Sequence, residues 1–110
     1  MNRITFTTAK GDEYIAEFNL DTVSSMEERH ITPVETATAP ATKMKLFFFW
    51  AFKMHHPKIK QETTNDIWAN LPSEGKEQVI SKLGEFWYEA QNAVMEEPED
   101  DSKKVMWEIG

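Results

Sequence analysis

Cysteine is absent from the 110 residues, which excludes disulfides, thiolate metal sites and cysteine nucleophiles, and leaves the core to hold unaided. Glycine is scarce. The four glycines are dispersed at turns, at one helix position and at residue 110, so there is no Gly-rich phosphate loop, and neither G-x-S-x-G nor H-E-x-x-H occurs. Basic residues are outnumbered, 12 against 19 acidic, for a net charge of −7. Such a chain repels phosphate backbones and offers no footprint for direct nucleic-acid binding. Long hydrophobic runs are missing as well. The main apolar stretch, residues 44–54, is interrupted by Lys45 and Lys53 and falls far short of the ~20 residues that span a bilayer, so no membrane association is expected. The opening Met1-Asn2-Arg3-Ile4-Thr5-Phe6 alternates polar and apolar without a continuous hydrophobic region; no secretory signal is read there, and the expected location is cytoplasmic.

What is present suffices for one domain spanning 1–110. Apolar residues make up 40% of the chain, with seven Phe, four Trp and two Tyr, enough to fill a single modest core. Ile4 and Phe6 alternate with Arg3, Thr5 and Thr7; Tyr14, Ala16 and Phe18 alternate with Glu13, Ile15 and Glu17. Two such period-2 segments around Lys10-Gly11-Asp12 predict a β-hairpin within 1–20. A lone hairpin is marginal in water, and Val105, Trp107 and Ile109, alternating with Lys104, Met106 and Glu108, suggest a third strand over 104–109.

Between them, Asp21 is expected to cap a short helix over 21–30 that turns Leu20, Val23 and Met26 inward. Pro33 and Pro40 forbid one continuous helix across 32–42, which reads as a loop or arm. A helical region follows over 43–95. Its first helix starts near Pro40 or Ala41 and ends near His55-His56; a second starts at Pro57 with Ile59, Thr63, Ile67 and Leu71 four apart. The third, capped by Ser73, carries Val79, Ile80, Leu83, Phe86, Trp87, Ala90 and Val94 on one face. Residues 96–103 read as an acidic turn. The fold class is α+β: a small antiparallel sheet, made by the N-terminal hairpin and the C-terminal strand, packed on three or four helices.

Catalytic and cofactor signatures do not emerge. Adjacent His55 and His56 point about 100° apart on a helix and do not share an ion comfortably, so no metal site is predicted; a helix-end role capping carbonyls suits them better. The run Met44-Lys45-Leu46-Phe47-Phe48-Phe49-Trp50-Ala51-Phe52-Lys53-Met54-His55-His56 points elsewhere. On a 3.6-residue period, Met44, Phe47, Phe48 and Ala51 form a stripe suited to the core, where Val79, Leu83 and Phe86 are also expected. Leu46, Phe49, Trp50 and Phe52 are left as an apolar surplus, and these four are the candidate partner-binding residues. Binding, not catalysis, is the expected class of function.

Val23-Ser24-Ser25-Met26-Glu27, followed by the L-F-x-x-A-F-x-x-H-H spacing within residues 46–56, resembles small proteins of tail gene clusters in phages and prophages of Gram-positive bacteria. Leu83, Tyr88, Glu97-Pro98 and Trp107 continue the likeness over almost the whole chain. The resemblance is to tail assembly chaperones of long-tailed phages. It implies a non-enzymatic protein without cofactor that coats the hydrophobic tape measure helix, keeps it soluble and yields as tail tube subunits polymerise. Tape measure and tail tube proteins are the partners so implied, with self-association also open. Arg29-His30 departs from the pattern, which has glycine after the first helix. The acidic composition supports an alternative, a phage-encoded inhibitor of a bacterial defence protein or nuclease, in which Glu96, Glu97, Glu99, Asp100 and Asp101 imitate phosphates.

Overall fold

Alternation at the start of the chain resolves into two antiparallel strands, β1 (Arg3–Thr7) and β2 (Glu13–Glu17), in a computed structural model that describes residues 2–110. Met1, part of the predicted hairpin segment, lies outside the described residues. Ile4 pairs with Ala16 and Phe6 with Tyr14, so the apolar members of both strands share one face. Gly11 supplies the left-handed residue of the turn, at φ 90°, a conformation side chains disfavour.

Five α-helices follow among the described residues: α1 (Leu20–Glu28), α2 (Pro33–Thr38), α3 (Pro40–Trp50), α4 (Gln61–Ala69) and α5 (Ser73–Asn92). The α+β class holds. The cap of α1 is Asn19, whose side chain accepts from the Thr22 N–H at 2.8 Å; Asp21 sits in the first turn instead. Beyond Glu28, His30 takes φ 58°. The His30 N–H donates to Glu27 O at 3.0 Å and the Ile31 N–H to Met26 O at 2.9 Å. These are the two bonds of a Schellman turn, so histidine occupies the backbone conformation that a glycine would take.

Residues 32–42 are not a loop. Thr32 caps α2, its hydroxyl accepting from the Glu35 N–H at 3.1 Å, and Pro33 and Pro40 each stand in the first turn of a helix. Proline breaks a helix from inside but is tolerated at its start; two prolines therefore divide the segment into two helices. α3 ends at Trp50, earlier than expected, and residues 51–55 form turns. α4 starts at Gln61, not Pro57, and α5 starts at Ser73 with Pro72 before it and no side-chain cap.

The predicted C-terminal strand is absent: residues 104–110 carry no regular structure, and among the described residues the sheet has two strands. The outer edge of β2 is already occupied. The Glu17 N–H donates to Ala51 O at 2.8 Å and the Ile15 N–H to His56 Nε2 at 2.9 Å. The hairpin's apolar face is covered by the aromatic helix, with Phe6 5.5 Å from Phe48 and 5.4 Å from Phe52 between ring centroids. That packing supplies the cover a hairpin needs. Leu83 and Trp87 of α5, Ile67 and Trp68 of α4, and Val23 and Met26 of α1 complete the core.

Candidate functional site

The four candidate contact residues on and after α3 separate. Phe52 is fully buried, its ring 4.9 Å from Phe48. The helix stops at Trp50, so residue 52 leaves the helical stripe and the turn swings it onto the hairpin; Phe52 is a core residue and not a surface contact. Leu46 and Trp50 are half-buried, packed against the flank of the core. Phe49 is half-buried too, with Lys53 Nζ 4.6 Å above its ring. Trp50 carries the Arg29 guanidinium at 5.0 Å. Cations over both rings make this patch more polar than the sequence suggests.

His55 and His56 do not cap a helix. His55 Nε2 lies 2.7 Å from Glu17 Oε1, and His56 accepts the Ile15 N–H while its ring lies 5.4 Å from Tyr14. Both fasten the turn after α3 to β2. Burial, and next the charge of His55, hold the His56 pKa below its usual 6.5. Beside it, Tyr14, His56, Lys58, Lys60 and Thr63 line a cleft of about 460 Å³ that is wide open to solvent. Among the described residues no cluster of three or more metal-ligating side chains occurs, and no helix is long and apolar enough to cross a membrane.

A second concavity is smaller and drier. Pro33, Thr36 and Ala37 of α2, Met44 and Phe47 of α3, and Ile80 and Gly84 of α5 line a groove of about 130 Å³. That is on the scale of an apolar cavity that admits one benzene-sized group. Two features single it out. Thr36 is 4% exposed, and its hydroxyl has no hydrogen-bond partner among the described residues, an unfavourable arrangement unless something completes it. Gly84 is helical, and a Cβ built there meets nothing within 4 Å, so the groove wall is open where a side chain would ordinarily stand.

The sequence hinted at this groove without revealing it. Thr32-Pro33-Val34-Glu35 is a capping signature that predicts α2, and Gly84 falls four residues after Ile80 on the buried side of α5, a gap in an otherwise filled stripe. The most exposed run of large apolar side chains lies elsewhere again. Val105, Met106, Trp107 and Ile109 are 84%, 91%, 78% and 86% exposed. Just before them, the Asp100 carboxylate accepts from the Ser102 hydroxyl and N–H at 2.6 and 2.9 Å, which lowers its pKa, and Lys104 pairs with Asp101 at 2.9 Å.

Residues 1–110 match a family described as Domain of unknown function (DUF5055). No curated protein and no solved structure matches the chain.

Proposed function

We propose that this chain, which belongs to the DUF5055 family, is a non-enzymatic tail assembly chaperone of a long-tailed phage or prophage. It acts in the bacterial cytoplasm by holding apolar helical segments of the tape measure protein. The observation that carries this reading is the groove between α2, α3 and α5, apolar on its walls and open at Gly84. A groove between helices suits an amphipathic client helix, which inserts one anchor side chain and lays its neighbours along the rim. Met44 adapts to differing anchors, as a client with many apolar segments requires.

The magnitudes fit a holder that must let go. Burying one large anchor contributes about 1.5–3 kcal/mol, less than the ~4 kcal/mol of even a millimolar complex. One groove therefore holds weakly, and several copies along a long helix are needed to mask it. Tube subunits that bind the same helix more firmly displace them. The net charge of −7 keeps the coated client in solution.

The test is co-expression with the tape measure protein of the same phage or prophage, comparing wild type with Gly84→Ala and Gly84→Leu. Wild type and Gly84→Ala should keep the client soluble, whereas Gly84→Leu should fill the groove and fail to, with its own thermal stability not lowered. If wild type leaves client solubility unchanged, the chaperone reading fails; if Gly84→Leu solubilises as well as wild type, the client does not use the groove.

A further inference from the structure

The hairpin has one closed edge and one open edge. On β2 the outward N–H groups of Ile15 and Glu17 are taken by His56 and Ala51. Because Ile4 with Ala16 and Phe6 with Tyr14 form the hydrogen-bonded pairs of the ladder, the backbone groups of Thr5 and Thr7 on β1 point away from β2. Among the described residues nothing bonds to the Thr5 or Thr7 N–H. An open strand edge next to an apolar face is a template for another strand.

The chain also carries an unpaired segment built to be one. Val105, Trp107 and Ile109 alternate with Lys104, Met106 and Glu108, and the apolar members are exposed. The arm stands clear of its own body: the longest dimension is 58 Å and the radius of gyration 16.5 Å, against about 13 Å for a compact chain of this length.

We propose that residues 105–109 of one copy add as an antiparallel third strand to the β1 edge of a second copy, reciprocally, giving a two-fold arm-exchanged dimer. Parity selects the pairing. Setting Trp107 opposite Ile4 places Val105 opposite Phe6, so the apolar side chains join the face that packs on the core. The same alignment sets Glu108 opposite Arg3, opposite charges across the strands, and Met106 opposite Thr5 on the outer face. Reciprocal exchange closes both open edges at once, as a two-fold interface requires.

Closure within one chain is the competing alternative, and in this structure the arm is not folded back onto β1. Asn2 hydrogen-bonds Glu89, so α5 ends beside the start of β1, whereas the antiparallel alignment begins at the far end, with Lys104 by Thr7. The connector would have to backtrack about 17 Å along β1 with two of its parts, Ala93–Met95 and Asp101–Lys103, coiled into 3-10 turns. An arm arriving from a second copy carries no such restriction. This inference does not depend on a client for the groove.

The natural lack of cysteine makes a direct test possible. Thr5 and Met106, as a hydrogen-bonded pair, would have Cα atoms about 5.5 Å apart, within disulfide range. Thr5→Cys and Met106→Cys chains, mixed and mildly oxidised, should form a covalent dimer containing one chain of each kind, and adding Trp107→Glu should abolish it. By sedimentation the wild-type chain should be a dimer, and Trp107→Glu should raise its dissociation constant roughly tenfold or more with the helical circular dichroism unchanged. Three results would overturn the exchange: a wild-type monomer at high micromolar concentration, a disulfide that closes within a single doubly substituted chain, or a wild-type dimer in which the mixed pair does not cross-link.

Discussion

The backbone N–H of Ile15 donates to Nε2 of His56 at 2.9 Å, so a histidine side chain does the work of a neighbouring strand on the edge of β2. The bond requires an unprotonated Nε2. Together with the His55–Glu17 contact at 2.7 Å, it joins the turn after α3 to the hairpin.

Stability should therefore fall in mild acid. The His56 pKa is lowered from 6.5 in the folded state by burial and then by His55, so the unfolded chain takes up the proton first as pH drops. The contribution is complete above about pH 6.5 and is lost as pH falls through the lower folded value. Urea unfolding from pH 8 to 5 checks this. His56→Phe should lose about 1–3 kcal/mol at pH 8 by stranding the Ile15 N–H, and its pH dependence in this window should be weaker than that of wild type.

His30→Gly should stabilise the protein. The residue sits at φ 58°, where a side chain costs roughly 1–2 kcal/mol; glycine removes that strain but adds freedom to the unfolded chain, leaving a gain of up to about 1 kcal/mol. His30→Val should destabilise. Thermal melts of both variants decide it, and a lower melting temperature for His30→Gly would show that the imidazole makes up for its backbone.

Phe52→Ala should cost about 3–5 kcal/mol, as expected for truncating a fully buried phenylalanine. Phe49→Ala, at a half-buried position under Lys53, should cost less than about 1.5 kcal/mol. Denaturant midpoints for the pair test this ordering, and equal losses would place Phe49 in the core as well.

Thr36→Val should leave the free protein unchanged or raise its stability by up to about 2 kcal/mol, because it removes a buried hydroxyl without a partner at nearly constant volume. Because that hydroxyl is closed off from the groove, the same variant should solubilise the tape measure protein as well as wild type does. Measuring melting temperature and client solubility together checks both outcomes.

Much of the architecture was legible because it rests on local periodicity. Two-residue alternation gave the hairpin and its inward face, and the stripe through Val79, Leu83 and Trp87 gave α5. Residues 32–42 read as a loop because proline breaks a helix from inside, yet Pro33 and Pro40 both stand in first turns and Thr32 caps α2. The interior place of Phe52 is not legible in the periodicity, because it depends on where α3 ends, and helix ends are set by the turns and contacts beyond them. The groove depends on three helices meeting, and no single segment encodes it.

The sequence by itself determined the α+β class, the lack of disulfides, the net acidity and the identity of the main core stripe, since composition and periodicity act within one segment at a time. Only the tertiary structure decided that His56 and Ala51 close the edge of β2, that Phe52 is interior, and that exposed apolar surface gathers over residues 105–109. Those outcomes depend on which distant groups compete for the same backbone donors and the same buried volume. That competition exists only once the chain is folded.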